Sequence, residues 1–107
     1  MRIYRYEDKH GFGPYRDSRL GFLKRHARKP LPHEEGIGYL TEDKRSGCVS
    51  FEQLHTWFDK NDQERLEEEG YRVVTYEVPQ LEVEYSNTQA LFLTANAVVV
   101  ETEFDED

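Results

Sequence analysis

The chain has 107 residues, of which 36% are hydrophobic and 34% are charged, and its formal net charge is −8 at pH 7. This length is typical of one domain, so we predict a single domain over residues 1–107 with a frayed acidic tail at 105–107. A single cysteine, Cys48, excludes an internal disulfide and favours a reducing compartment. Neither a signal segment nor a run of about 18 apolar residues is present, so we expect a cytoplasmic protein that does not enter a membrane.

Charge is unevenly distributed along the chain. Residues 1–61 carry 12 Lys and Arg against 9 Asp and Glu, a balance of +3, whereas residues 62–107 carry 2 against 13, a balance of −11. Such a split predicts a polarised surface, with a basic half and an acidic half that differ in the partners they attract.

The first part of the chain predicts a strand, a loop and a helix. Alternation over Arg2–Glu7 is typical of a strand. The glycine-rich segment 10–14 predicts a turn. Asp17 or Ser18 can then cap a helix from Arg19 to about Arg28 that buries leucines and Ala27, and prolines end it.

The best-defined predicted element begins at Ser50. Its hydroxyl can accept from the backbone N–H of Gln53, whose side chain can return a hydrogen bond and close a capping box. Phe51, Leu54 and Phe58 then share one helix face, and we expect a sheet to pack against that face.

The remaining segments complete the predicted fold. Residues 33–47 look irregular, apart from a short strand at 39–41. Asn61 and Glu64 can form a capping box for a mostly polar helix that ends at Gly70. The strands that follow are predicted at 71–78 in the centre of the sheet, at 81–85, and as a hairpin of 89–94 and 97–104. We therefore predict an α+β fold with a largely antiparallel sheet of four to five strands packed against two or three helices.

Metal binding and cysteine catalysis find little support in the sequence. No pair among the four histidines and Cys48 has the spacing of a known metal site, so we predict no metal and no cofactor. Cys48 precedes a predicted helix, where the helix dipole can lower a thiol pKa. A buried structural cysteine is the favoured interpretation.

Two features offer weak signals for anion binding. Gly11 and Gly13, followed by Arg16 and Arg19, can form a small anion pocket, although a simple turn is the favoured explanation. A basic segment that contains Phe22 can bind the phosphate backbone of a nucleic acid, but the acidic half of the chain repels DNA. We favour a solvated helix face over direct nucleic-acid binding for this segment, whose basic residues are Arg16, Arg19, Lys24, Arg25, Arg28 and Lys29.

The acidic half suggests a partner of opposite charge. Like charges on neighbouring strands cost stability, and we expect the outward carboxylates to form such rows. Charge complementarity then favours a host protein with a basic nucleic-acid-binding surface, with solubility alone as the alternative explanation. The predicted partner-binding residues are Glu67, Glu68, Glu69, Glu82, Glu84, Glu101 and Glu103.

A series of short motifs resembles a group of small phage and prophage proteins over about residues 1–95. These motifs are Tyr4–Glu7, Gly13–Tyr15, Gly47–Leu54 with Trp57 and Phe58, Tyr76–Val78, and Gln89–Phe92. Acidic phage proteins include inhibitors of host defence, such as anti-CRISPR proteins that imitate the charge of DNA. The resemblance thus implies a non-enzymatic inhibitor that blocks a nucleic-acid-binding component of a host defence complex in the host cytoplasm.

The layout also resembles a trimmed ADP-ribosyltransferase. That resemblance implies that Arg5, Ser50 and Gln89 correspond to the family's arginine, serine and glutamate. Gln89 departs from the family pattern, because the glutamate polarises the ribose 2′-hydroxyl. The alternative function is therefore a small ADP-ribosyltransferase-like enzyme or nucleotide-binding domain that uses Arg5, Tyr6 and Gln89, with a cleft where the first strand meets the strand of Gln89.

Overall fold

The computed structural model describes residues 1–16 and 20–104. Within them the fold is α+β, as predicted, with two α-helices and two three-stranded antiparallel sheets. The strands are β1 Arg2–Glu7, β2 Lys44–Gly47, β3 Arg72–Glu77, β4 Val83–Tyr85, β5 Ala90–Leu93 and β6 Val98–Thr102. The helices are α1 Phe51–Trp57 and α2 Lys60–Glu68, and short 3₁₀ segments lie at Pro14–Arg16, Gly21–Arg28, Pro32–Glu35 and Gln80–Glu82.

The two sheets meet along β1 and β2. The first sheet has the strand order β1-β3-β6 and the second has β2-β5-β4. Tyr4 and Cys48 join them by exchanging two backbone hydrogen bonds of 2.8 Å each. The prediction of a largely antiparallel sheet with four to five strands is therefore confirmed in part: the described strands are antiparallel and close to that number, but the six of them form two sheets.

β3 has apolar residues on both faces and occupies the centre of its sheet, as predicted. Val73 belongs to a core with Leu54 of α1 and Leu66 of α2. Val74 belongs to a second core, which includes Phe92 of the second sheet. The first sheet therefore separates two cores, one beneath the helices and one between the sheets.

The first helix begins as the sequence predicts. The Ser50 hydroxyl accepts from the Gln53 N–H at 3.1 Å. The predicted reciprocal hydrogen bond to the Ser50 N–H is replaced by another, because the Gln53 carboxamide oxygen accepts from the backbone N–H of Val49 at 3.0 Å. Leu54 is buried against the first sheet, so the expected packing of this helix on a sheet is confirmed.

The second helix begins earlier than predicted. Its N-cap is Asp59, which accepts from the Asp62 N–H at 2.9 Å, while the Asp62 carboxylate accepts from the Asp59 N–H at 3.3 Å. The capping box predicted from Asn61 and Glu64 was therefore wrong. An aspartate pair with the same spacing lies two residues nearer to the buried Phe58 and satisfies the free N–H groups first.

The predicted hairpin of 89–94 and 97–104 does not form. β5 and β6 follow each other in the chain but lie in different sheets. β5 is already paired on both edges, with β2 and β4, so β6 pairs with the open edge of β3 instead. Consecutive strands thus cross from one sheet to the other.

Local differences occur in the irregular segments. The strand predicted at 39–41 lies instead at Lys44–Gly47, where it pairs with β5. The strand predicted over 81–85 begins only at Val83. The residues before it form a 3₁₀ turn, in which Leu81 is fully exposed. The helix predicted from Arg19 is a 3₁₀ helix over Gly21–Arg28 that buries Leu23.

Some predictions fall on parts of the chain that the structure does not describe. The capping residues Asp17 and Ser18, the buried position of Ala27 and the tail at 105–107 are outside the described residues. Across the described part, no helix is long and apolar enough to cross a bilayer.

Candidate functional site

A cleft of about 730 Å³ opens where the two sheets meet. Its walls come from β1, the loop at 11–15, the 3₁₀ helix Gly21–Arg28, the segment 40–48 and the end of α1. Sites for small molecules in proteins have volumes of about 300–1,000 Å³, so the cleft has the size of a ligand-binding site.

Arg5 lies on the floor of this cleft and is 9% exposed. Its Nε atom is 3.1 Å from a Glu7 oxygen, yet among the described residues this nitrogen has no hydrogen-bond partner. Burial lowers the pKa of the guanidinium, an effect that the charge of Glu7 opposes. The loop above can approach because residue 13 is glycine, where a Cβ would lie 2.8 Å from Arg5 Nη2.

Glu7 connects two arginines beneath the cleft. Its buried carboxylate accepts a 2.5 Å hydrogen bond from the Tyr76 hydroxyl and lies 3.5 Å from Arg45 Nη1. Burial raises the pKa of Tyr76 to about 12, and Glu7 acts in the same direction, so the phenol remains a donor at neutral pH. The carboxylate is therefore held in place to orient Arg5 and Arg45.

The lining of the cleft is more positive than the protein around it. Four described lining residues are Lys or Arg and one is acidic, in a chain whose net charge is −8. Cations grouped in a cleft attract anionic ligands, so the charge distribution favours a ligand with phosphate or carboxylate groups. The charged lining residues are Arg5, Lys29, Lys44, Arg45 and Glu42.

Gln89 lies on another wall of the cleft, immediately before β5. Its buried amide donates to the Pro30 carbonyl at 2.9 Å and to the Glu35 carboxylate at 2.5 Å. Burial raises the pKa of Glu35, but hydrogen bonds from Gln89, Thr88 and Ser86 outweigh it and lower the pKa overall. Gln89 is thus a fixed amide that anchors the loop around Pro30 to the second sheet.

A chain of polar contacts reaches the cleft wall at Tyr15, His26 and Trp57. The indole N–H of Trp57 donates to the Tyr15 hydroxyl at 2.5 Å, and this hydroxyl lies 2.6 Å from His26 Nδ1. On the other side of the imidazole, His26 Nε2 lies 3.1 Å from Asp62 Oδ2. Sequence reasoning named His26 only among possible metal ligands and Tyr15 only within a phage-like motif. It did not connect them with Asp62, because no spacing along the chain relates the three residues.

The structure brings together part of the predicted nucleotide-binding set. Arg5, Tyr6 and Gln89 all line the cleft, and it extends from β1 towards the strand of Gln89. Ser50 has a different position, because its hydroxyl caps α1. Ser46, on β2, lines the cleft instead.

Cys48 lines the same cleft as a buried thiol. Burial raises its pKa to about 12. The suggestion that a helix dipole lowers this pKa was therefore wrong, because desolvation disfavours the thiolate more strongly. The structural interpretation of Cys48 stands.

The predicted acidic residues do not form the expected rows. Glu84 on β4 and Glu101 on β6 belong to strands at opposite ends of the order across the two sheets. Glu84 lies 3.5 Å from Lys44 Nζ, and Glu101 lies 3.7 Å from Arg2 Nη1. These two strands are therefore not neighbours and do not carry adjacent rows of carboxylates. Cations from the first half of the chain lie beside both glutamates.

The other predicted carboxylates fall into two groups. Glu82 accepts from the Asn96 amide at 3.2 Å, and Glu103 accepts from the Val73 N–H at 2.9 Å. The run Glu67–Glu69 is exposed at the end of α2.

The basic segment is only partly described. Lys29 lines the cleft, with its Nζ 5.0 Å from the centre of the Trp57 ring. Arg19 and the side chains of Arg16, Lys24, Arg25 and Arg28 lie outside the described part of the chain. The hypothesis of a basic nucleic-acid-binding helix therefore stays a prediction.

The chain belongs to a phage protein family. The model of the family described as "Bacteriophage T4 Y00F protein" matches residues 1–105. No curated protein and no solved structure matches the chain. The resemblance to small phage proteins is thus confirmed at the level of the family.

Proposed function

We propose that this member of the bacteriophage T4 Y00F family binds an anionic nucleotide of the NAD class in the cleft between its sheets. The observation that carries the proposal is Arg5, a buried guanidinium on the cleft floor with an Nε that lacks a hydrogen-bond partner among the described residues. A buried donor without a hydrogen-bond partner is unfavourable even beside the charge of Glu7, so an anionic ligand that accepts from Arg5 stabilises the site.

The rest of the lining suits the other parts of such a ligand. Phe12, Tyr15 and Trp57 present aromatic rings to the cleft, and these rings can contact a nucleobase. Arg45 and Lys29 supply further positive charge for a pyrophosphate. Aromatic walls with a few placed polar groups are typical of small-molecule sites.

The resemblance to ADP-ribosyltransferases supplies roles for two lining residues. The resemblance implies that Arg5 corresponds to the arginine of those enzymes and Gln89 to their glutamate. An amide cannot polarise a ribose hydroxyl as a carboxylate does, and this one is held by Pro30 and Glu35. We therefore propose nucleotide binding as the primary function, with ribosyl transfer as an extension that requires another catalytic group.

Calorimetric titration with NAD, ADP-ribose and adenosine tests this proposal. Trp57 is the only tryptophan and lines the cleft, so its fluorescence provides a second, site-specific readout. We expect NAD and ADP-ribose to bind more tightly than adenosine, because only they carry the pyrophosphate. No heat and no fluorescence change at millimolar NAD would refute the proposal.

Variants on one strand provide the matched control. Arg5→Gln should weaken NAD binding at least tenfold, equivalent to about 1.4 kcal/mol. Arg2→Gln, on the same strand but with a half-exposed side chain that does not line the described cleft, should leave the affinity within about twofold. Arg5→Lys, which keeps the charge, is the second variant if Arg5→Gln does not fold.

A second candidate function rests on the exposed run Glu67–Glu69. These carboxylates stand at the C-terminal end of α2, where the helix dipole disfavours negative charge. Glu67 and Glu68 at this unfavourable place are expected if a basic partner compensates them. Together with the phage family, this supports the proposal of an inhibitor that binds a basic nucleic-acid-binding surface of a host defence complex.

Charge reversal tests the inhibitor proposal. Affinity capture from host lysate with the native chain should recover a nucleic-acid-binding protein. The triple variant E67K/E68K/E69K should bind that protein well over tenfold more weakly, because each lost ion pair with the partner contributes about 1 kcal/mol or more. The control E42K/E52K/E77K changes the net charge by the same amount at other exposed sites. A folded E67K/E68K/E69K variant with native affinity would exclude this surface.

A further inference from the structure

Three side chains from distant parts of the sequence form one hydrogen-bonded series at the mouth of the cleft. Tyr15 lies in a 3₁₀ turn, His26 in the following 3₁₀ helix and Asp62 in the first turn of α2. The Tyr15 hydroxyl is 2.6 Å from His26 Nδ1, and His26 Nε2 is 3.1 Å from Asp62 Oδ2. The series therefore runs from a surface phenol to a buried carboxylate through one imidazole.

The available donors determine where the protons lie. The indole nitrogen of Trp57 can only donate, so the Tyr15 oxygen accepts from it at 2.5 Å. An ionised Asp62 can only accept, so it receives a proton from His26 Nε2. The neutral imidazole then has an acceptor at Nδ1, facing the proton of the Tyr15 hydroxyl.

Burial is graded along the series. Asp62 is 1% exposed and His26 is 7% exposed, whereas Tyr15 is 52% exposed and lines the cleft. Asp62 is held in addition by the Asp59 N–H, and the His26 ring lies 5.4 Å from the Phe58 ring. The base and the residue that orients it are thus buried, and the group they act on is accessible.

We propose that Asp62, His26 and Tyr15 form a proton relay that makes Tyr15 a reactive hydroxyl facing the cleft. His26 Nδ1 takes the phenol proton, and the electron pair stays on the Tyr15 oxygen, which the Trp57 N–H stabilises. Asp62 stabilises the resulting imidazolium as a positioning residue. A nucleophile within reach of a base that a third group orients is the arrangement used in covalent catalysis.

The reaction partner is an electrophilic carbon or phosphorus of a ligand bound in the cleft. A bond forms from the Tyr15 oxygen to that atom as the bond to the leaving group breaks, and the leaving group departs with the electron pair. His26 holds the displaced proton and can return it to the leaving group, so atoms and charges balance. The relay depends on its own contacts and does not require the ligand to be NAD.

A reactive phenol can be detected without knowing the ligand. An aryl sulfonyl fluoride transfers its sulfonyl group to a nucleophilic tyrosine and releases fluoride, and peptide mass spectrometry measures the rate for each tyrosine. Tyr85, which is also 52% exposed, and Tyr39, at 67%, are internal controls of matched accessibility. We expect Tyr15 to react at least tenfold faster than either at pH 7.5.

Variants separate a relay from a structural hydrogen-bond network. His26→Gln can still donate to Asp62 but has no basic nitrogen facing Tyr15, so the rate at Tyr15 should fall to within about twofold of Tyr85. Asp62→Asn should give an intermediate rate. His55→Gln changes an exposed histidine of α1 and should leave Tyr15 fast.

Two results would overturn the proposal. One is a native protein in which Tyr15 reacts no faster than Tyr85, a comparison that needs no variant. The other is a folded His26→Gln variant in which Tyr15 keeps its advantage, since a network that only holds the loops together predicts no dependence on a base. NAD is absent from the assay, so failure here is distinguishable from failure of nucleotide binding.

Discussion

At the scale of single residues, buried polar groups are positioned by specific partners. Glu7 is 4% exposed, yet it contacts Arg5, Arg45 and Tyr76. Because an unpaired buried carboxylate is strongly unfavourable, each of these contacts supports the floor of the cleft.

Removing the Tyr76 hydroxyl tests this network. Tyr76→Phe deletes a buried 2.5 Å donor to Glu7 and should lower the free energy of unfolding by about 1–3 kcal/mol in urea denaturation. The exposed Tyr85→Phe is the control, with an expected change within about 0.5 kcal/mol. Equal effects of the two variants would contradict the role assigned to Glu7.

The Cys48 thiol should be inert in the folded protein. Its pKa is raised to about 12 by burial, so about one thiol in 10⁴ is ionised at pH 8. A colorimetric disulfide reagent should therefore react slowly with the native protein and rapidly once urea unfolds it. Fast native labelling would show that the thiol is accessible and ionised, as the helix-dipole interpretation had suggested.

At the scale of elements, the contact between β1 and β2 holds the two sheets together. Gly47 ends β2 at this contact, and a Cβ there would lie 2.6 Å from Ile3 Cγ2 and 3.0 Å from the Tyr4 carbonyl oxygen. Because residue 47 has no side chain, β1 and β2 can approach each other closely. The floor of the cleft depends on this close approach.

Gly47→Ala should destabilise the protein by about 1–3 kcal/mol, because the methyl group forces the strands apart. The control is Gly21→Ala, where no described atom lies within 4 Å of the added Cβ. That change should be neutral or stabilising by up to about 1 kcal/mol. Thermal unfolding measures both, and a Gly47→Ala variant as stable as Gly21→Ala would contradict the close junction.

At the scale of the whole molecule, a strongly acidic chain contains a cleft whose charged lining residues are mostly cations. With a net charge of −8, the negative charges repel one another in the folded state. The cations Arg5, Lys29, Lys44 and Arg45 nevertheless line the cleft. Salt therefore acts in two directions, because it screens the overall repulsion and also weakens attraction of an anionic ligand to the cleft.

Raising NaCl from about 10 mM to about 150 mM should increase the melting temperature of the free protein. The E67K/E68K/E69K variant changes the net charge by +6, from −8 to −2, so its melting temperature should depend less on salt. A native protein that becomes less stable as salt is added would show that local ion pairs outweigh the overall repulsion.

Local rules predicted several features that the structure confirms. The limits of β1, the Ser50 cap, the helix packed on a sheet and the central position of β3 all follow from residue alternation and capping chemistry within a few neighbouring residues. Arg5 and Gln89, which both line the cleft, came from the resemblance in layout to ADP-ribosyltransferases and not from local rules.

The chain alone determined where β1, β3 and the start of α1 form, since those choices depend on interactions between near neighbours. The tertiary structure alone decided that β6 pairs with β3 rather than β5, and that Tyr15, His26 and Asp62 form one hydrogen-bonded series. Both outcomes arise from competition for the same partners among groups far apart in sequence. Whether a strand edge is paired or a carboxylate is buried depends on which distant groups already have partners. Local sequence patterns contain no information about those distant groups.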